Sequence, residues 1–223
     1  MQHFDQELAA LKEKLLTMAS KAEAAVNNAI KALMDRDDDL ARSVKEEDNG
    51  IDQLEIEVDE VAIGLLSKAP LASDLRLITV AMKISHDLER VGDEATTISR
   101  RAVELSQEPQ LKPYIDIPRM AKMALEMLGY ALDAFVNADP EKARAVIPRD
   151  KEVDALNRQL HRELSSYMVE KPTTITRCLN LMVISKSLER IADHATNVAE
   201  EVVYLYEAKD IRHTGKGQAS GRA

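Results

Sequence analysis

Four acidic pairs at matching places of the two halves of this chain stand four positions apart: Asp48 with Asp52, Glu89 with Asp93, Asp150 with Asp154, and Glu189 with Asp193. On a helix that spacing puts both members of a pair on one face, one turn apart. Carboxylates gathered this way repel, by about 1 kcal/mol for each close pair at 4 Å in water. A multivalent cation turns that repulsion into binding, and oxygen ligands suit hard ions such as Mg, Mn, Ca or Fe. The plain alternative is a solvated acidic face, common on surface helices. Recurrence of both pairs in each half of the chain argues against it.

The halves differ at two neighbouring positions. Asp59 follows Asp52 by seven residues, and His161 follows Asp154 by seven, so each lies on nearly the same face as its pair. Asn197 stands four residues after Asp193, where the first half has Thr97. An imidazole and an amide beside the second set of carboxylates would favour a borderline metal there, such as Fe, Zn or Ni. The candidate ligands are therefore Asp48, Asp52, Asp59, Glu89 and Asp93 in the first half, and Asp150, Asp154, His161, Glu189, Asp193 and Asn197 in the second. His194 faces another direction, has Glu94 as its counterpart, and is not counted.

Other chemistry finds no support. There is no Gly-rich phosphate loop, no Gly-x-Ser-x-Gly and no cysteine cluster. The absence of Glu-x-x-His counts against a ferritin-like di-iron oxidase. A metal-dependent hydrolase or oxidase built on the same carboxylates remains the competing reading, without a positioned base to support it. A coiled-coil scaffold with solvated acidic faces is the third.

The elements that must position these residues are helices. Leu8, Leu11, Leu15, Met18, Ala22, Ala25, Ala29 and Leu33 form one stripe. The acidic cluster from Asp35 to Asp39 reads as a turn and N-cap. A second helix runs to about Lys68 with Ile51, Leu54, Val58, Val61 and Leu65 inward, and Pro70 breaks the chain. A third runs from about Ser73 to Gln107, carrying Ile84, Leu88, Val91, Ala95, Ile98, Ala102 and Leu105. Pro109, Pro113 and Pro118 mark a linker.

Then the pattern repeats. Residues 18–58 shifted by 102 positions match at 12 of 41, and residues 82–105 shifted by 100 match at 11 of 24. That is far beyond chance, and it gives an all-α architecture of two tandem three-helix bundles: residues 1–108, residues 114–211, and a tail at 212–223. Short connections make neighbouring helices antiparallel. Pro148 stands where the first copy has Glu46, so the fifth helix is expected to kink there. At 100° per residue, Asp48 and Asp52 lie roughly 100° and 140° from the apolar stripe of the second helix. Glu89 and Asp93 lie roughly 140° and 180° around the third, in the same sense. In an antiparallel pair such flanks converge, so each unit's four carboxylates should line the outer seam between its second and third helices.

Composition agrees. Aromatics are 3% and Trp is absent, as suits a core of Ala, Leu and Met. Cys178 is alone and lies in an apolar run, which predicts a buried bystander thiol. A net charge of −9 with pI near 5.2 argues against nucleic acid, which demands a basic face. The only basic stretch is the tail, with Arg212, His213, Lys216 and Arg222; it is expected to be a flexible end and receives no function. The first residues lack an apolar signal core, and no apolar stretch approaches the roughly 20 residues a bilayer span requires. A cytoplasmic location is expected.

The segments Leu88-Glu89-Arg90-Val91-Gly92-Asp93-Glu94-Ala95 and Leu188-Glu189-Arg190-Ile191-Ala192-Asp193-His194-Ala195-Thr196-Asn197 resemble the signature of the PhoU family. The pairs Asp48/Asp52 and Asp150/Asp154 are similar to that family's second acidic motif, and the resemblance covers about Phe4 to Asp210. It implies two packed three-helix bundles, often as a homodimer, with metal clusters on the acidic motifs. It also implies a non-enzymatic signalling adaptor, a negative regulator of phosphate uptake and the phosphate-starvation response. Its partners would be the ATPase subunit of the phosphate ABC transporter and the membrane sensor histidine kinase. Ala192 departs from the glycine common in the family, and the Asp59/His161 difference puts equal metal loading of the two sites in doubt.

Overall fold

The computed structural model describes residues 2–69 and 71–212. It contains α1 (Gln2–Asp35), α2 (Asp38–Leu66), α3 (Ala72–Ser106), α4 (Asp116–Asn137), α5 (Pro140–Val146), α6 (Asp150–Glu170) and α7 (Ile175–Glu207). Two single-turn 3-10 segments, Ile147–Arg149 and Pro172–Thr174, complete the order, and no strand occurs among the described residues. The all-α expectation holds. Pro70, on which the first break was placed, lies outside the described residues, as does the tail from residue 213 onward.

The cores follow the apolar stripes. Leu11, Leu15, Met18, Ala22, Ala25, Ala29 and Leu33 of α1 are buried against Ile51, Val58 and Leu65 of α2 and the inward face of α3. In the second half α4 and α6 both pack on α7. The predicted kink is present: Pro148 cannot donate to the helical ladder, and the 3-10 turn around it divides α5 from α6. Pro118, assigned to the linker, instead sits in the first turn of α4. There its missing N–H removes no intrahelical bond.

The repeated Asp37 and Asp139 are caps. The Asp37 carboxylate accepts from the amides of Asp39 at 3.1 Å and Leu40 at 2.9 Å, and Asp139 accepts from the amide of Lys142 at 2.9 Å. Three helices end in the left-handed region without glycine, α1 at Arg36 (φ 57°), α4 at Ala138 (φ 55°) and α7 at Ala208 (φ 54°).

The two units join through α3 and α7, which pack antiparallel. Three contacts set that direction: Lys83 with Glu201 at 3.0 Å, Asp87 with His194 at 2.8 Å, and Glu94 with Arg190 at 3.1 Å. As the residue number rises on one helix it falls on the other. Cys178 is buried, as expected. No helix among the described residues is long and apolar enough to cross a membrane.

Candidate metal centres

Antiparallel packing of α2 on α3 brings the first carboxylate set together. Asp48 Oδ2 accepts from Thr96 Oγ1 at 3.1 Å, while its Oδ1 is buried and has no hydrogen-bond partner. Burial is the main cause that raises the Asp48 pKa from its ordinary value; the Thr96 hydrogen bond opposes the rise, and Asp52 and Asp93 add to it. Glu89 is raised likewise, by burial first and then by Asp93 and Glu55, against a lowering by Arg90. Arg90 bridges the set, at 3.2 Å from Glu89 and 3.0 Å from Asp93.

The second set forms the same way between α6 and α7. Asp150 Oδ1 is buried without a partner, as is Thr196 Oγ1, the counterpart of Thr96. Burial, followed by the charges of Asp193, Asp154 and Glu189, pushes the Asp150 carboxyl up to about 6. Asp193 is raised as well, by burial and then by Glu189. Lys186 contacts Glu189, and Arg158 meets Asp154 at 3.2 Å. In both units the carboxylates gather on the seam expected from helical direction. They sit deeper than an outer seam implies, because Asp48 and Asp150 each turn one oxygen inward.

The flanking assignments need correction. His161 does not join the second set: its Nε2 lies 3.1 Å from Ser185 Oγ, whose own proton is directed at Asn157 Oδ1 (2.8 Å) or the Met182 carbonyl (3.1 Å). Engaged in that contact, Nε2 is not free to bind an ion. Asn197 leaves the second set too. It faces the first unit and donates to Asp87 Oδ1 at 3.1 Å, because α3 covers that flank of α7. Asp59 lies further along the first seam, in a cleft between the units that Asn197 also lines, with Lys83, His86 and Glu201.

Two residues absent from the sequence reading belong to the first set. Glu55 and His86 meet at 3.2 Å, and ligand atoms of Glu55, His86 and Glu89 all lie within 4.8 Å of one another. Glu55 stands three residues after Asp52 and His86 three before Glu89, so the i, i+3 spacing could have found them. Their second-unit counterparts are Asn157 and Lys186. The imidazole thus adjoins the first carboxylate set, opposite to the expectation drawn from His161.

Buried unpartnered carboxylate oxygens at equivalent places, surrounded by further carboxylates, fit a hard cation. The first set, with an imidazole beside its oxygens, also fits a borderline ion.

The chain matches the PhoU domain twice, over residues 15–102 and 117–202. It is 42% identical over 216 residues to the phosphate-specific transport system accessory protein PhoU homolog of Pseudomonas aeruginosa, covering 96% of this chain and 89% of that one. The Escherichia coli phosphate-specific transport system accessory protein PhoU is 33% identical, covering 95% and 88%. The crystal structure of PhoU from Pseudomonas aeruginosa superposes with a TM-score of 0.89, 41% identity and coverage of 92% of this chain and all of that one. The phosphate transport system regulatory protein PhoU from Streptococcus pneumoniae gives 0.88 at 29% identity, covering 93% and 99%. On its two matched repeats and its near full-length relatives, this chain belongs to the PhoU family, a family of regulatory accessory proteins and not of enzymes.

Proposed function

We propose that this protein is a cytoplasmic, metal-binding adaptor that represses phosphate uptake and the phosphate-starvation response. Its relatives are accessory proteins of the phosphate transport system, which supports association with that system. On this reading the partners are the transporter's ATPase subunit and the sensor histidine kinase. Contact with the membrane is peripheral, through those proteins. A homodimer and the division into units at residues 1–108 and 114–211 belong to the same proposal.

The observation that carries the metal part is the pair of buried, unpartnered oxygens, Asp48 Oδ1 and Asp150 Oδ1, at matching positions of the two units. Asp48, Asp52, Glu55, His86, Glu89 and Asp93 would hold ions in the first unit. Asp150, Asp154, Glu189 and Asp193 would hold them in the second. A bound ion would supply positive charge there, neutralising like-charged helices and fixing the α2–α3 and α6–α7 seams. Arg90 and Lys186, which partly offset the carboxylates, would give way to it.

Elemental analysis of protein purified without chelator tests the metal part, and a chain free of bound metal would refute it. For the regulatory part, deletion should leave phosphate-starvation genes on in high phosphate, and the purified chain should capture the kinase's cytoplasmic region. A deletion strain that represses those genes normally, in a genome with no second copy, would overturn it.

A further inference from the structure

At the far end of the first seam, the start of α2 and the end of α3 enclose a groove of about 470 Å³. Arg42, Lys45 and Arg100 line it over a floor that includes Ala41, Val103 and Ser99. Three cations converging in one groove are conspicuous in a chain of net charge −9. Arg42 is held by Asp39 at 2.6 Å and approaches Asp38 at 3.9 Å. Lys45 and Arg100 have no ion-pair partner among the described residues. Glu104, the one acidic residue of the lining, is taken by Arg101 at 2.7 Å and 2.9 Å. The Thr96 hydroxyl is spent on Asp48.

Ser99 supplies a second, independent sign. It is 1% exposed and its Oγ has no hydrogen-bond partner. A mid-helix serine ordinarily bonds a carbonyl one turn back or reaches water. A buried hydroxyl that does neither is left unsatisfied, at a cost in stability. The repeat shows that the fold does not demand it. Ala41, Arg42, Thr96 and Val103 recur as Ala143, Arg144, Thr196 and Val203, whereas Lys45, Ser99 and Arg100 become Ile147, Ala199 and Glu200. The second unit keeps the frame and lacks the donors.

We propose that this groove binds a small phosphate-class oxyanion. Lys45 and Arg100 supply the charge and the Ser99 hydroxyl a hydrogen bond. Guanidinium and ammonium donors together suit a tetrahedral oxyanion, and the volume leaves room for a small organic body on the phosphoryl group. The groove adjoins the first carboxylate set through Thr96 but takes none of that set's carboxylates into its lining.

Metal-stripped full-length protein titrated calorimetrically at low ionic strength, with orthophosphate and with AMP, tests this. Saturable binding is expected, weakened at least tenfold in K45I/S99A/R100E, which installs the second unit's own residues. Circular dichroism should show unchanged helix content. Lys122→Glu, at an exposed site on α4 (78% exposed), should bind as the wild type does. Tighter AMP binding identifies an organic phosphate as the source, and equal or tighter orthophosphate binding identifies the free ion. No saturable binding of either anion, equal binding by the triple variant, or equal weakening by Lys122→Glu overturns the proposal.

Discussion

Asp48 of α2 lies directly against Gly92 of α3: a methyl group on residue 92 would stand 2.6 Å from Asp48 Oδ1 and 3.0 Å from Ile51 Cδ1. The glycine is not required by its backbone, since it has no positive φ. It is required by the close approach of a carboxylate whose inner oxygen is buried and unpartnered. At the matching place the second unit has Ala192, fully buried, opposite Asp150. The two seams are thus built to different clearances.

Gly92→Ala should therefore displace the Asp48 carboxylate while leaving the fold intact. Overpacking of about 1–3 kcal/mol is offset by about 1 kcal/mol of helix propensity. Stability of the metal-free protein should fall by no more than about 2 kcal/mol by those figures. Bound metal should fall by the first unit's share. Denaturant melts and elemental analysis measure the two effects, and undiminished metal would mean that Asp48 is not a ligand.

The carboxylate sets can be emptied separately. D52N/D93N should remove the first unit's metal and D154N/D193N the second's, each with unchanged helix content. His86→Ala should weaken Zn, Ni or Fe binding in the first unit about tenfold, whereas His161→Ala should leave metal binding unchanged, because its Nε2 is engaged by Ser185. Metal lost with His161 and kept with His86 would reverse the assignment.

Acid should stabilise the metal-free protein. Burial and the neighbouring carboxylates push Asp150 up to about 6, so between about pH 4 and 6 the folded chain binds more protons than the unfolded chain. Stability then falls as pH rises through that window and recovers on acidification. Asp48, Glu89 and Asp193 are shifted in the same direction. Asp150 is only half-buried, which reduces its effect to about 1 kcal/mol, or about 2–4 °C in Tm. Thermal melts at pH 7 and pH 5.5 should show the rise, and Asp150→Asn should diminish it while raising stability at pH 7. A Tm that drops on acidification would contradict this.

The repeated caps should behave as structure alone. Asp37→Ala and Asp139→Ala should each cost about 1 kcal/mol without changing metal content. A loss of metal in either variant would be inconsistent with the capping geometry.

Ala138 ends α4 in the left-handed region, where a side chain is strained and glycine is not. Ala138→Gly should raise stability by about 0.5–1 kcal/mol, measured by urea denaturation. Any loss of stability would show that the strain is absent.

Helix positions, the kink at Pro148 and the seam carrying both carboxylate sets were legible in the sequence. Apolar period, proline geometry and the i, i+4 face are local properties that the chain's own order fixes. The internal repeat added the number of units. Side-chain surroundings were not legible, because they depend on which helix covers which flank. Asn197 is 40° around α7 from Asp193, a small step, but α3 packs on that side and turns it toward Asp87. His161 keeps the face of Asp154, yet its Nε2 is engaged by Ser185, which in turn donates to Asn157. Glu55 and His86 look ordinary as sequence. Only the pairing of α2 with α3 brings them together beside Glu89. Helix direction is set by covalent period, whereas the partner across a seam is set by packing of distant segments.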